Sequence, residues 1–234
     1  MEIADYGIIV SSESSCENGC VLVLFSQNYG KISGYFKRTG YTIPQIGDLC
    51  YFRIQKRIDV QLGQINIELI KSTNHAFRLA NRTRLLTIKS ICEIINMYIY
   101  CEDTYEDLYL ETVNCIENIC DLKRYALWEL IVLQNLGYGL DLAKCCITSQ
   151  TDGLTYISPK TGKAVVQKIG ERYKDKLFKI PHFWLNEYNP VIKDIIESLK
   201  ITGYFLGKLN EHIGLNKHPI FRSMLLDCVE RSQI

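Results

Sequence analysis

The chain changes its pattern of hydrophobic and polar positions once, near residue 74. Before that point, short segments rich in β-branched and aromatic residues are separated by breakers such as Asn18-Gly19 and Gly47-Asp48. This pattern predicts strands at residues 6–10, 20–25, 31–36, 49–58 and 64–70. Five strands in about seventy residues predict a small closed barrel, for which the OB fold is the commonest architecture and an SH3-like barrel is the alternative.

After residue 74, apolar side chains recur three and four positions apart, which predicts amphipathic helices. The predicted helices cover residues 84–100, 104–119, 122–136, 190–213 and 220–231. We expect Thr104 to cap the second helix and Gly137 to end the third. Pro190 is expected at the first helical position of the fourth helix, where a missing N–H is harmless.

A turn-rich hairpin interrupts the helical region. Two short strand-like pieces are joined by residues 158–163, which read Ser-Pro-Lys-Thr-Gly-Lys. The predicted fold class is α+β: an N-terminal five-stranded OB-like β-barrel (residues 1–76) followed by an all-helical domain (residues 77–234). The finger-like hairpin is inserted at about residues 144–180. It looks like a degenerate zinc ribbon, one from which the metal ligands have been lost.

The composition is that of a globular protein kept in a reducing compartment. The ten cysteines are scattered, mostly within apolar runs, so we expect free thiols and not a disulfide framework. The N-terminus has neither the basic start nor the small-residue cleavage site of a secretory signal. No window approaches the roughly 18 apolar residues of a membrane span. We therefore expect a soluble cytoplasmic protein.

The charge is nearly balanced overall, but its distribution is uneven. The formal net charge is only +1. Residues 81–143 nevertheless carry twice as many acids as cations, whereas residues 144–185 carry eight lysines and arginines against three acids. A locally basic segment suits a phosphate backbone as partner. The alternative is a solvated lysine-rich surface.

Motifs for catalysis and metal binding are absent from the sequence. It contains no GxxxxGK[ST], GxGxxG, HExxH or GxSxG motif. A zinc ribbon needs two Cys-x-x-Cys pairs, but Thr148 stands three positions after Cys145 and residues 163–167 contain no cysteine. We therefore expect no enzyme activity, no cofactor and no bound metal, although an active site assembled by the fold stays open. The hairpin should be held by its apolar residues, which are Leu154, Tyr156, Ile157, Val165 and Val166.

The predicted barrel strands interleave cations with aromatic residues, the combination that single-stranded nucleic acids require for phosphate neutralisation and base stacking. The nucleic-acid-binding candidates here are Lys31, Lys37, Arg38, Arg53, Lys56 and Arg57. Because side chains alternate across a strand, about half of the aromatic residues should face the core. We expect Phe36, Phe52 and Tyr51 to do so. Tyr35 and Tyr41 are weaker stacking candidates.

The hairpin supplies a second set of cations. Lys160 and Lys163 flank its turn and should both project from an exposed tip. The nucleic-acid-binding candidates in this segment are Lys160, Lys163, Lys168, Arg172, Lys174 and Lys176. Two separate basic surfaces, one on the barrel and one on the hairpin, would allow a single molecule to hold two strands at once.

Four segments carry a family resemblance through their order and spacing. They are residues 5–10 with 25–34, residues 136–142 with Cys145, residues 156–164 with a Ser-Pro-Lys-x-Gly turn, and residues 200–206. Together they resemble the RecO family of bacterial recombination mediators over most of the chain. Two features depart from the family pattern: the stretch 37–47 carries only Lys37 and Arg38 as charges, and the cysteine pairs are incomplete.

The resemblance implies a DNA repair and homologous recombination mediator that binds single- and double-stranded DNA without hydrolysing it. Such a protein anneals complementary strands and, with RecR and RecF, helps to load RecA onto DNA coated by single-strand-binding protein. RecR and single-strand-binding protein are the implied direct partners, with no membrane partner, and the implied location is the bacterial cytoplasm in association with the nucleoid. An RNA- or ribosome-associated OB-fold module without annealing activity is the alternative, and an esterase or nuclease is the third class.

Overall fold

The computed structural model describes residues 2–16, 19–37, 44–55, 62–72, 81–100, 103–186 and 188–232. Contacts divide the chain into two compact units: Met1–Cys120 with Pro219–Cys228, and Asp121–His218 with Val229–Ile234. The expected domain boundary after residue 76 falls outside the described residues and stays a prediction. Within the described ranges, no helix is long and apolar enough to cross a membrane.

Five strands form a closed barrel in the first unit. They are β1 (Glu2–Cys16), β2 (Gly19–Ser26), β3 (Gly30–Lys37), β4 (Leu49–Gln55) and β5 (Gly63–Lys71). The order around the barrel is β1-β2-β3-β5-β4, and β4 pairs with β1 to close it. All five predicted strands are present. β1 is longer than predicted. Beyond Val10 it stays paired with β2, and the register of this pairing shifts at two points.

Alternate side chains of these strands fill the barrel core. The core includes Ile9, Leu22, Leu24, Phe52, Ile54 and Ile65. The carboxylate of Asp5 is also buried, where it accepts hydrogen bonds from the backbone N–H (2.8 Å) and side-chain amide (2.9 Å) of Asn28 and from the Ser26 hydroxyl. Since a buried charge is tolerated only when its hydrogen bonds are satisfied, Asp5 fixes the turn that joins β2 to β3.

Helices make up most of the remaining described chain. They are α1 (Arg82–Tyr98), α2 (Glu106–Glu117), α3 (Leu122–Asn135), α4 (Gln167–Gly170), α5 (Ile192–Ile213) and α6 (Ile220–Arg231). Asn81 caps α1 by accepting from the N–H groups of Thr83 (2.9 Å) and Arg84 (3.3 Å). Gly137 follows α3 with φ of +78°, which confirms the predicted glycine stop.

Two predicted helix starts are wrong. The N-cap of α2 is Tyr105, without a side-chain cap, because the Thr104 hydroxyl donates to the carbonyl of Asn28 (3.4 Å) instead. The helix α5 begins at Ile192 and not at Pro190. Its start is defined by Asp194, whose carboxylate accepts from the backbone N–H of Val191 at 3.1 Å.

A small sheet lies within the second unit. Its strands are β6 (Leu154–Ile157), β7 (Ala164–Val166) and β8 (Phe178–Lys179), in the order β7-β6-β8. We call residues 154–179 the hairpin sheet; the predicted hairpin is its β6–β7 part. The added strand β8 is two residues long, too short to leave a pattern in the sequence. Between β7 and β8, α4 is followed by a 3-10 helix, Glu171–Lys176.

The helices of the second unit share a buried polar contact. Glu129 of α3 is 1% exposed and accepts hydrogen bonds from the hydroxyls of Tyr125 (2.7 Å) and of Thr202 on α5. A buried carboxylate without such donors would be strongly destabilising. The contact therefore fixes how α3 and α5 pack, and α5 is the helix on which the hairpin sheet rests.

Candidate nucleic-acid interface

An aromatic pair, one ring exposed and the other half-buried, lies on the outer face of the barrel. Tyr6 of β1 is directly opposite Tyr51 of β4, and Ala4 is opposite Arg53. The rings of Tyr6 and Tyr51 meet edge to face, with centroids 5.4 Å apart and planes inclined by 62°. The guanidinium carbon of Arg53 lies 5.6 Å from the centre of the Tyr51 ring. We call Tyr6, Tyr51 and Arg53 the barrel triad.

The barrel triad offers both contacts that a single strand needs. Tyr6 is 50% exposed, so part of its ring is accessible to a base. Arg53 is exposed and lies over an aromatic ring, an arrangement in which the guanidinium keeps its donors available to a phosphate. Glu68 of β5 pairs with Tyr51 and is also exposed, so it weakens the positive field on that side.

The triad corrects one expectation and adds a residue that the sequence did not indicate. Phe52 faces the core and Phe36 packs against it from a partly buried position, as expected. The expectation for Tyr51 is wrong, because the register of β4 with β1 turns it outward beside Tyr6. Tyr6 was missed since only the strand pairing reveals that it completes an aromatic pair.

The other barrel candidates differ in their surroundings. Lys31 is half-buried, and its ammonium donates to the backbone carbonyl of Asn96 at 2.7 Å, which ties β3 to α1. Lys37 is exposed at the end of β3. The Tyr35 ring covers Gly19, where an added Cβ would lie 2.2 Å from the tyrosine hydroxyl. The candidates outside the described residues are Arg38, Tyr41, Lys56 and Arg57.

The turn of the hairpin sheet is closely defined. The carbonyl of Ser158 accepts from the N–H groups of Thr161 (3.3 Å) and Gly162 (2.8 Å). Gly162 has φ of +68°, a left-handed conformation that favours glycine. The side chains of Lys160 and Lys163 are exposed on either side of this glycine. The two lysines are exposed as predicted, but the turn is not an exposed tip, because Gly162 is buried against Leu140 and Phe205.

The remaining hairpin candidates are also exposed. Lys168 lies on α4, and the 3-10 helix that follows carries Arg172, Lys174 and Lys176. Lys174 is partly neutralised, because its ammonium lies 3.7 Å from the carboxylate of Glu171. An exposed pair of this kind contributes little stability, so Lys174 can exchange its partner for a phosphate at small cost.

Cys145, the candidate first position of a cysteine pair in the sequence, is part of an apolar cluster. It is buried with Tyr156, Val165 and Val166, which confirms that apolar residues hold the hairpin. Burial raises the pKa of its thiol, but hydrogen bonds from the Thr148 hydroxyl and from the backbone N–H groups of Ile147, Thr148 and Val166 outweigh this and lower the pKa to about 7. Across the described ranges, no three His, Cys, Asp or Glu side chains are grouped as metal ligands. The absence of zinc stays a prediction.

The chain is similar to known proteins over almost its whole length. A family model described as "Recombination protein O C terminal" matches residues 79–215. The DNA repair protein RecO of Orientia tsutsugamushi (strain Ikeda) is 32% identical over 98% of this chain and 98% of the relative. That of Rickettsia canadensis (strain McKiel) is 30% identical over 98% of this chain and 97% of the relative. These matches define a class of recombination and repair proteins.

A third relative agrees with the first two. The DNA repair protein RecO of Rickettsia peacockii (strain Rustic) is 30% identical over 91% of this chain and 92% of the relative. The chain belongs to the RecO family. The family resemblance predicted from four sequence segments is thereby confirmed.

Proposed function

We propose that this chain is a recombination mediator that binds single- and double-stranded DNA and anneals complementary strands. With RecR and RecF, it would help to load RecA onto DNA coated by single-strand-binding protein, in the bacterial cytoplasm close to the nucleoid. The observation that carries the proposal is the similarity to proteins named DNA repair protein RecO over 98% of the chain. We further propose that the barrel is an OB fold and that the hairpin sheet is a zinc ribbon without metal.

Annealing by such a protein needs no catalytic residue. Two strands held on one protein have a raised effective concentration, and base pairing supplies the driving force. The barrel triad would stack bases and neutralise a phosphate of one strand. The exposed cations of the hairpin sheet would hold the phosphates of a second strand, releasing counterions as they do so.

Charge reversal on the hairpin sheet tests whether the barrel and the hairpin sheet bind two different strands. We expect a variant with glutamate at Lys160, Lys163, Lys174 and Lys176 to anneal complementary strands at least about tenfold more slowly. Its affinity for one single strand should fall by less, because the barrel triad is intact. The measurements are annealing rates by fluorescence quenching and single-strand affinities by anisotropy, both at one stated salt concentration.

A matched control carries the same change of charge elsewhere in the second unit. Lys193, Lys200, Lys217 and Arg231 are all exposed, and their reversal to glutamate should leave annealing close to wild type. Equal losses of annealing and single-strand binding in the hairpin variant would indicate one continuous site and contradict the two-surface proposal. Binding to RNA as tight as or tighter than binding to DNA of the same sequence would favour the RNA- or ribosome-associated module.

A further inference from the structure

Lys208 of α5 has contacts unlike those of the hairpin cations. Its ammonium donates to the backbone carbonyls of Pro159 (2.7 Å) and Lys160 (3.2 Å), both in the turn of the hairpin sheet. The same ammonium lies 5.6 Å and 5.8 Å from the ring centres of Tyr204 and Phe205. Lys208 is half-buried, and two of its donors are directed at the turn.

A second contact joins the turn to the same helix. An added Cβ at Gly162 would meet the Leu140 side chain at 3.3 Å and the Phe205 ring at 3.6 Å. The turn therefore lies against α5 through apolar contact at Gly162 and through two charge-assisted hydrogen bonds from Lys208. Hydrogen bonds from a charged donor are roughly twice as strong as neutral ones, and partial burial between aromatic rings strengthens them further.

We infer that Lys208 is a positioning residue: it anchors the hairpin turn to α5 and so presents Lys160 and Lys163 to DNA in a fixed orientation. The inference rests on the proposed function, because it assumes that these two lysines bind phosphates. We assign Lys208 no phosphate contact, since two of the three N–H donors of its ammonium are used on backbone carbonyls. If the turn is already ordered in the free protein, less conformational entropy is lost on binding.

The test removes the ammonium and keeps an unbranched apolar side chain of about the length of the lysine stem. We expect Lys208→Met to weaken single-strand binding about fivefold, the equivalent of ordering roughly one residue on binding. The slope of log affinity against log salt should not change, because no phosphate contact is lost. Lys200→Met is the matched control: it removes the same charge from an exposed position of the same helix, where the lysine pairs with Glu230 at 2.8 Å. Its affinity should stay close to wild type.

A double-mutant cycle separates positioning from direct contact. In a Lys160→Ala, Lys163→Ala background, Lys208→Met should cause no further loss, since nothing remains to be positioned. Lys208→Arg should restore affinity, because a guanidinium can donate to both carbonyls. An unchanged affinity of Lys208→Met would overturn the inference. The inference would also be overturned if Lys208→Met lowered the affinity by the same factor in the double-alanine background and reduced the salt slope by about 0.7. Lys208 would then be a phosphate contact.

Two further measurements keep the outcome unambiguous. Hydrogen exchange at the amides of Thr161 and Gly162 should accelerate in Lys208→Met, which reports loosening of the turn directly. If that variant does not fold, Pro159→Gly provides a second test, because it loosens the same turn and retains every lysine. We expect the same loss of affinity from Pro159→Gly. An affinity equal to that of the wild type would overturn the inference. Failure of the proposed function looks different: the Lys160→Ala, Lys163→Ala protein alone would then bind DNA as wild type does.

Discussion

The barrel and the hairpin sheet both carry cations, but they hold them in different ways. In the barrel, Lys31 is fixed on a backbone carbonyl and Arg53 on an aromatic ring, next to a described core cluster of ten buried residues. In the hairpin sheet, the lysines are exposed, and the described cluster beneath them has four buried residues. Strand register places Tyr6, Tyr51 and Arg53 side by side on the barrel, whereas the turn of the hairpin sheet depends on the helix against which it lies.

The largest expected effect is on the free energy of unfolding, when the core of the barrel is compared with that of the hairpin sheet. Phe52 is 0% exposed in the barrel, so Phe52→Ala should lower the free energy of unfolding by about 3–5 kcal/mol. Val165→Ala in the hairpin sheet removes two methyl groups and should cost about 1–2 kcal/mol. Urea unfolding followed by circular dichroism measures both. Equal losses would show that the hairpin sheet is as strongly supported as the barrel and would break the comparison.

The second effect concerns stacking on the barrel. Tyr6→Ala and Tyr51→Ala should each weaken single-strand binding by about 1–3 kcal/mol without changing the salt dependence, because a stacked base and not a phosphate is lost. Arg53→Ala should instead lower the salt slope by about 0.7. Anisotropy titrations on an oligothymidine at several salt concentrations measure these changes. Tyr29 is 40% exposed on the turn between β2 and β3, so Tyr29→Ala is the matched control.

Unchanged binding by the Tyr6 and Tyr51 variants would mean that the rings only cover the barrel wall. An unchanged salt slope for Arg53→Ala would mean that this guanidinium serves only to hold Tyr51. Both results together would remove the barrel triad as a DNA contact and so sharpen the difference between the two regions.

Much of the fold follows from the sequence because it depends on local pattern. The five barrel strands follow from segments rich in β-branched and aromatic residues between breakers, and the helix stop follows from Gly137. The contacts that depend on register were not predictable: Tyr51 was expected in the core until its pairing with Tyr6 was known. Lys208 lies 48 residues from Lys160, and no local pattern relates them. Thr104 was mistaken for a helix cap because its hydroxyl bonds to a distant strand turn.

The third effect is a difference between two cysteines, one in each region, in how their contribution to stability depends on pH. Burial, with a contribution from Asp48, raises the pKa of Cys50 in the barrel to about 12, so it stays a neutral thiol. The pKa of Cys145 is lowered from 9.0 to about 7. A lowered folded-state pKa adds stability as the pH rises from about 7 to 9, and that stability is lost as the pH falls through 7.

Melting temperatures between pH 6 and pH 9 measure this contribution. We expect the wild type to gain stability relative to Cys145→Ser across that interval, because serine does not titrate there. Cys146→Ser changes the exposed neighbour and should follow the wild type. A Cys145→Ser protein with the wild-type pH profile would show that the backbone N–H groups around the thiol do not stabilise a thiolate.

The smallest expected effect is that of a metal chelator. In a zinc ribbon the metal joins two turns of the chain. In the hairpin sheet, the backbone N–H of Cys146 donates to the carbonyl of Ala164 at 2.9 Å, and Cys145 packs in one cluster with Tyr156, Val165 and Val166. Hydrogen bonds and apolar contacts thus join the same two segments.

We therefore expect the purified protein to contain no stoichiometric zinc, and a chelator such as EDTA to change neither its melting temperature nor its DNA affinity. Elemental analysis after gel filtration checks the first expectation and thermal unfolding the second. One zinc per chain would contradict the prediction, and single serine substitutions at Cys145 and Cys146 would then show which thiol binds it.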